Sequence, residues 1–257
     1  MVHTQKFGEP VNGHIVIVHG IGEHYRRHHR LISKVKESGY KVHTFDWLGH
    51  GKSDGPRGHA RIEETMKIID NIIEDIDEKP FLYGHSLGGL TVLRYVEENP
   101  DKIKSVISSS PALKRSEDLS IITIKLVSLL SKLFPKKIIS NSVDVEDVTR
   151  SKEDRKKYKK DDMVHDKVSL ALTKDIFRNI DKAHERKDEI DPPLLMLVGT
   201  EDKICPIEGA EKLFSDFQQN EDKKIKRFEG AYHEIFNDPE WEEDFHDEII
   251  RWIEYYS

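Results

Sequence analysis

Residues 84–88 read GHSLG, and the serine at their centre, Ser86, has the setting of a catalytic nucleophile. A G-x-S-x-G motif places its serine on a sharp turn between a strand and a helix, where the glycines let the two elements pack closely. The apolar run 80–83 precedes the motif and an amphipathic segment follows it, as such a turn requires. The alternative is an ordinary strand-to-helix turn with a capping serine, and the flanking pattern favours the nucleophile.

Two later segments supply the partners that this serine needs. A serine hydroxyl is a weak nucleophile at neutral pH, so a histidine must take its proton and an acid must orient that histidine. After a turn of this kind, the order along the chain is serine, acid, histidine. Asp202 follows the apolar run 194–198, with Glu201 as the reserve candidate, and His233 lies in a loop before the last helical pattern. The predicted triad is Ser86, Asp202 and His233.

Acyl transfer also needs two backbone N–H groups that stabilise an oxyanion. One is expected from Leu87, the residue after the nucleophile, where the start of a helix favours negative charge. The other is expected from the loop after an earlier strand. Residues 19–22 (HGIG) follow the apolar run 14–18, so Ile21 is the predicted second donor and Gly20 keeps the approach open.

Other segments resemble functional motifs but lack a required residue. Residues 51–53 (GKS) would end a phosphate-binding loop, but Asp46 stands where that loop needs glycine. A histidine and a glutamate at 233–234 begin like a zinc-protease helix, but Asn237 stands in place of the second histidine. Three histidines within residues 24–29 are not completed by a nearby carboxylate or cysteine pattern. We therefore expect neither a metal nor a cofactor.

The elements that must position these residues alternate along the chain. Short apolar runs rich in branched residues predict strands that are covered on both faces. They occupy residues 14–18, 41–45, 80–83, 105–107 and 194–198. Amphipathic patterns predict helices at residues 62–76, from Leu87 to Val96, and at 241–255. This alternation predicts an α/β fold with a mostly parallel central sheet and helices on both faces.

The alternation stops in residues 112–192, which we interpret as a helical cap, or lid, inserted into a core formed by residues 1–111 and 193–257. Within the cap, residues 119–134 are apolar almost all the way round a helix, and the charged tract 146–162 follows. Periodicity alone favours a helix buried under other helices of the insertion. The alternative is a lid helix whose outer face contacts lipid or covers an apolar pocket.

Composition narrows the function further. The 257 residues suit one large α/β domain, and the net charge of −7 argues against nucleic acid as a partner, because phosphate binding needs a basic face. The single cysteine, Cys205, allows no intrachain disulfide and is expected near the catalytic edge. Residues 1–10 lack the apolar run of a signal peptide, and no apolar stretch of about 18 residues occurs, so we expect a cytoplasmic protein. Abundant Lys and Glu with few Gln are typical of a thermostable protein.

Taken together, these motifs resemble one family, the monoacylglycerol lipase and lysophospholipase-like branch of the α/β hydrolases. The resemblance rests on HGIGEH at 19–24, DWLGHGKS at 46–53, GHSLGG at 84–89, SSSPA at 108–112, GTEDKICPIEGA at 199–210 and EGAYHEIFND at 229–238. The sequence departs from the family in its short N-terminus, where the leading antiparallel strands are expected to be reduced or missing. It also departs in His28, where the family frequently has tyrosine.

The resemblance implies the same triad and oxyanion donors, together with an apolar cap that holds an acyl chain. This favours the lid interpretation of residues 119–134. The implied reaction is hydrolysis of a carboxylic ester, monoacylglycerol first, through a serine acyl-enzyme. The alternatives are a short-chain carboxylesterase, a lysophospholipase, or a non-catalytic binding protein, which would be expected to lack a triad member. The implied partner is a small lipid ester, with transient contact between the cap and a membrane or micelle, so the protein would be peripheral at that surface.

Overall fold

The computed structural model describes residues 1–115, 121–217 and 220–257, and its centre is a seven-stranded sheet. The strands, in chain order, are β1 (Thr4–Phe7), β2 (Gly13–Val18), β3 (Tyr40–Phe45), β4 (Phe81–His85), β5 (Ser105–Ser109), β6 (Ile138–Ser140), β7 (Lys167–Ser169), β8 (Leu194–Gly199) and β9 (Lys223–Phe228). The helices are α1 (His29–Glu37), α2 (Ile62–Glu74), α3 (Leu87–Glu98), α4 (Ile121–Leu133), α5 (Lys152–Lys160), α6 (Leu170–Glu185), α7 (Ile207–Phe214) and α8 (Glu242–Tyr255).

The order of the strands brings the predicted site residues to one edge of the sheet. The order is β1-β3-β2-β4-β5-β8-β9, and every neighbouring pair is parallel except β1 and β3. The register places Val18 of β2 beside Gly84 of β4, and His85 of β4 beside Ser109 of β5. The carboxyl ends of β2, β4, β8 and β9 therefore lie at the same edge, and the loops with the candidate residues start there.

Apolar side chains form a core on each face of this sheet. Val16 and Ile17 belong to opposite cores, because successive side chains of a strand point to opposite faces. One core includes residues of α2, α3, α6 and α7, and the other includes residues of α1 and α8. The predicted α/β fold, with a mostly parallel sheet covered by helices on both faces, is confirmed.

The two edge strands of the sheet were not predicted, because neither contains an apolar run. β1 alternates between half-buried and exposed residues, and β9 reads KKIKRF. Lys224 and Lys226 of β9 pair with Glu248 of α8 at 2.6 Å and 3.2 Å, so ion pairs cover this strand. At the other edge, β1 pairs antiparallel with β3, so a leading antiparallel strand is present where the sequence analysis expected such strands to be reduced or missing.

Between β5 and β8 the chain leaves the central sheet and forms α4, β6, α5, β7 and α6. β6 and β7 pair with each other, a small sheet that the prediction of a helical cap did not include. The base of this insertion is bonded to the core: His165 N donates to Gly22 O, and Ser169 N donates to Gly58 O, both at 2.9 Å. The insertion has the position expected of a cap, and its boundaries at 112 and 192 stay a prediction.

Helix α4 corresponds to the apolar run predicted at 119–134, of which residues 119–120 lie outside the described residues. It packs on α6. Large apolar side chains cover its opposite side: Leu126 is 51% exposed, Leu129 57%, Leu133 65%, and Phe134, just beyond the helix, 59%. A helix buried under other helices would not expose these side chains, so the lid interpretation fits α4 better. No helix in the described part of the chain is long and apolar enough to cross a membrane.

Candidate active site

Ser86 lies on the turn between β4 and α3 in a left-handed backbone conformation, with φ of 57° and ψ of −119°. This region disfavours side chains, so surrounding contacts must hold the turn. Two glycines permit those contacts. A Cβ on Gly84 would lie 2.3 Å from the Gly88 carbonyl oxygen, and a Cβ on Gly88 would lie 2.3 Å from that of Val18. Ser86 N also donates to Ser109 O of β5 at 2.9 Å. The serine is thus held at the sheet edge from several sides.

His233 and Asp202 reach the same edge from the loops after β9 and β8. His233 Nδ1 is 2.8 Å from Asp202 Oδ2, and both side chains are buried. The other carboxylate oxygen, Asp202 Oδ1, accepts the N–H groups of Ile204 at 2.9 Å and Cys205 at 2.8 Å. Glu201, the reserve candidate, is exposed. The structure therefore brings Asp202, and not Glu201, to the imidazole.

The protonation of His233 is set by burial and by charge, which act in opposite directions. Burial alone would lower the pKa of the imidazole. The Asp202 carboxylate outweighs burial, and the pKa of His233 is raised above its usual value of 6.5. Because Nδ1 faces Asp202, Nε2 is the ring nitrogen left to exchange a proton with a substrate or a nucleophile. His233 and Ser86 line the same narrow cavity.

Cys205 lies beside the candidate nucleophile, with its Sγ 3.9 Å from Ser86 Oγ. The expectation that this cysteine lies near the catalytic edge is confirmed. Burial, with the nearby Asp202 charge, raises the pKa of the Cys205 thiol well above its usual value. The thiol therefore stays protonated at neutral pH and is not a nucleophile in that form. Cys205 therefore forms a small, buried part of the cavity wall next to Ser86.

The predicted oxyanion donors, Ile21 and Leu87, both line a cavity that opens at Ser86. Leu87 is the first residue of α3, so its N–H is one of the donors that a helix start leaves unpaired. Among the residues that the structure describes, neither backbone N–H donates to a protein acceptor. Gly20 lets the backbone of its loop lie close to Ser86, because a Cβ on residue 20 would be only 2.9 Å from the Cβ of Ser86. No protein acceptor among the described residues therefore competes for either N–H group, and their role as oxyanion donors stays a prediction.

A network of buried charges holds the loop that carries Gly20, and the sequence analysis assigned it no role. Glu23 Oε1 accepts the Gly20 N–H at 2.5 Å and lies 3.5 Å from His28 Nε2. Burial alone would raise the pKa of Glu23, but the adjacent His28 outweighs it and the pKa is well below its usual value. Arg27 lies 3.6 Å from Glu23 and donates to both carboxylate oxygens of Glu234 at 2.6 Å. In the sequence, the only indication of this ion pair was the spacing of Glu23 and Arg27, which are four residues apart.

The histidines within residues 24–29 face different partners inside the protein. His24 Nε2 is 2.8 Å from Asp161 of the cap. His28 faces Glu23, and His29 Nδ1 lies 3.2 Å from a backbone carbonyl of the preceding turn. The described residues contain no group of three or more His, Cys, Asp and Glu side chains that could hold a metal ion.

Two cavities meet at Ser86. The larger, which we call the acyl cavity, has a volume of about 440 Å³ and extends beneath α4, β6 and α6. Its apolar walls include Val127, Ile139, Val168, Ile176, Phe177 and Ile180. The smaller cavity, of about 30 Å³, is narrow and more polar, with walls that include Glu23, His85, Tyr158, His233 and Glu234. An ester with its carbonyl carbon at Ser86 would have an apolar space for one substituent and a polar space for the other.

Comparison with known proteins places the chain in a family. Residues 9–240 match the family described as Serine aminopeptidase, S33. A monoacylglycerol lipase from Mycolicibacterium smegmatis is 30% identical over 94% of this chain and 88% of its own. Phospholipase YtpA from Bacillus subtilis is 32% identical over 94% of this chain and 95% of its own. The crystal structure of Paleococcus ferrophilus monoacylglycerol lipase has a TM-score of 0.96 and 47% identity, and the match covers 100% of both chains. The protein belongs to the S33 serine aminopeptidase family and is a serine hydrolase with the α/β-hydrolase fold.

Proposed function

We propose that the protein hydrolyses monoacylglycerols to a fatty acid and glycerol through an acyl-enzyme on Ser86. The observation that carries this proposal is the acyl cavity of about 440 Å³ that opens at Ser86. Ligand pockets of proteins commonly measure about 300–1,000 Å³. Each methylene buried in such a cavity stabilises the bound substrate by about 0.8 kcal/mol. Similarity to a monoacylglycerol lipase at 47% identity supports the same class of substrate.

In this proposal, Ser86 Oγ attacks the ester carbonyl carbon while His233 Nε2 takes its proton. Asp202 keeps the other ring proton on Nδ1 and stabilises the imidazolium that forms. The N–H groups of Ile21 and Leu87 donate to the carbonyl oxygen as it gains negative charge. His233 then protonates the leaving oxygen, and glycerol departs. A water molecule activated by the same histidine releases the fatty acid from the serine.

We assign the alcohol side of the ester to the narrow cavity, whose volume of about 30 Å³ takes only one or two water-sized groups, so the rest of the glycerol would lie outside it. The walls of this cavity carry carboxylate, phenol and imidazole groups, which suit the free hydroxyl groups of the alcohol. These groups come from Glu23, Glu234, Tyr158 and His233. A triacylglycerol would have to place two further acyl chains in this space, so an ester with a single chain fits better.

We assign transient contact with a membrane or micelle to the exposed side of α4. Leu126, Leu129 and Leu133 are each more than half exposed on this helix, and Phe134 follows them. Monoacylglycerols collect at such surfaces because water disfavours their long apolar chains. A helix with an apolar outer side can lie in the interface without spanning the bilayer. The substrate would then reach the acyl cavity directly from the surface.

Replacing the nucleophile tests the assignment of Ser86. The Ser86→Ala variant should lose about 10⁴-fold or more of its ester hydrolysis, because no other group can form the acyl-enzyme. Circular dichroism of the variant should match that of the wild type. A fluorophosphonate probe should label Ser86 in the wild type, as mass spectrometry of peptides would show. Labelling at another residue would contradict the assignment.

Replacing each carboxylate in turn tests the assignment of the acid. Asp202→Asn should lower kcat by about 10³- to 10⁴-fold, because the amide no longer holds the required tautomer of His233. Glu201→Gln is the matched control and should leave the activity close to that of the wild type. Since His233 must be neutral to accept a proton and its pKa is raised, wild-type kcat/KM should fall on the acid side from above pH 6.5. In Asp202→Asn this acid limb should move to lower pH.

A series of acyl lengths tests the class of substrate. We expect kcat/KM of the wild type to rise with the chain length of monoacylglycerols, by up to about fourfold for each methylene that enters the acyl cavity. Hydrolysis rates on monoacylglycerols and on lysophospholipids of the same acyl length would be compared. Falling rates with increasing length would favour a short-chain carboxylesterase, and a preference for the phosphorylated headgroup would favour a lysophospholipase.

Charged substitutions on α4 test the proposed surface contact. Leu126→Glu and Leu129→Glu should reduce hydrolysis of a long-chain emulsified substrate more than hydrolysis of a short soluble ester, because a charge opposes contact with lipid. Leu126→Met is the control, since it keeps an apolar side chain at the same position. Equal losses on both substrates, together with a lower melting temperature, would show that α4 acts only in packing.

A further inference from the structure

A second space lies beside the acyl cavity. It is a cleft of about 330 Å³ whose walls come from α6, from α7 and from the segment after β5. Three residues belong to the walls of both spaces, namely Lys114, Arg115 and Ile180. The acyl cavity and this side cleft are therefore separated at that point by a wall one side chain thick.

Arg115 lies in both walls and stacks against Phe177, which lies in the wall of the acyl cavity. The guanidinium carbon of Arg115 lies 5.6 Å from the centroid of the Phe177 ring. Arg115 Nη2 also donates to the Phe177 carbonyl oxygen at 3.0 Å. The same guanidinium pairs with Asp181, four residues further along α6. The ring, the carbonyl and the carboxylate together hold Arg115 across the boundary between the two spaces.

Part of the wall of the side cleft is apolar and can contact the end of an apolar chain. Leu113 and Ile180 lie in its wall and are buried, so the inner part of the cleft is apolar. Glu208 and Lys212 lie in the same wall and are exposed, so the charged part faces solvent. A hydrocarbon chain that crossed the boundary would pass Arg115 and Ile180, which lie in both walls.

We propose that Arg115, held in the shared wall by the Phe177 ring, determines the upper limit of acyl chain length, because its side chain closes the acyl cavity against the side cleft. This inference deepens the proposed function and rests on it. A chain longer than the acyl cavity must displace the Arg115 side chain or leave its end in water, so the gain from each added methylene stops at this wall. Without Arg115, or without the ring that holds it, the two spaces join and a longer chain continues between α6 and α7.

The test compares the wild type with Phe177→Ala on nitrophenyl esters with acyl chains of about 8 to 18 carbons. In the wild type, kcat/KM should rise with chain length and then level off or fall. In Phe177→Ala the rise should continue to longer chains, with a further gain of up to about fourfold for each methylene beyond the wild-type limit. Arg115→Gln loses the guanidinium that lies in both walls but keeps a polar side chain, and it should move the limit in the same direction.

Phe214→Ala is the matched control, because Phe214 is also half-buried but lies in neither of the two walls. A limit that is the same in Phe177→Ala and the wild type would overturn the proposal, and so would an equal shift in Phe214→Ala. If thermal unfolding shows that Phe177→Ala has lost its fold, Phe177→Leu takes its place and must move the limit in the same direction. Nitrophenyl esters report the upper limit of acyl chain length even if monoacylglycerols prove not to be substrates, so a failure of this inference can be distinguished from a failure of the proposed function.

Discussion

The backbone of Ser86 has a φ of 57°, a conformation that costs about 1–3 kcal/mol for a residue with a side chain. Packing must offset this cost, and β2, β4 and α3 can pack here only because they meet at positions without side chains. An alanine at Gly88 would put its methyl group 2.3 Å from the carbonyl oxygen of Val18. The rest of the site is arranged around this junction. The start of α3 places the N–H of Leu87, and the neighbouring strands determine where the loops with Asp202 and His233 begin.

Buried charges then hold the parts of the site that the strands do not position. Glu23 binds the backbone of Gly20 from behind, and Arg27 joins Glu23 to Glu234 in the loop that follows His233. Charges in such positions are costly to leave unpaired, so removing one partner is strongly destabilising. The benefit is a preorganised loop, and a predicted oxyanion donor that is already in place would need no rearrangement as the reaction proceeds.

Much of this arrangement could be predicted from the sequence because it depends on local patterns. The turn at Ser86 is specified by residues 84–88 and the apolar run before them, and β2, β4, β5 and β8 are continuous apolar segments.

The edge strands could not be predicted in this way, because β1 and β9 have water or ion pairs on one side and lack an apolar signal. Residue type alone did not separate Asp202 from Glu201, since both are acids at the end of the same strand. The residues of α4 are apolar on almost every side of the helix, so the periodicity of the sequence could not show which side packs on α6. The roles of the triad and of the oxyanion donors stay predictions.

Gly22 connects the cap to the loop of Ile21 through the backbone alone. It accepts the N–H of His165 at 2.9 Å, and a Cβ on Gly22 would lie 2.3 Å from the His165 carbonyl oxygen. Such a contact does not depend on which side chains the cap carries. Over evolutionary time, α4 and α6 can therefore exchange residues, and diversify the lipids that are accepted, while the machinery that breaks the ester is inherited unchanged. A mutation at Gly22 has no such freedom, because it would disturb the accepted lipid and the chemistry together.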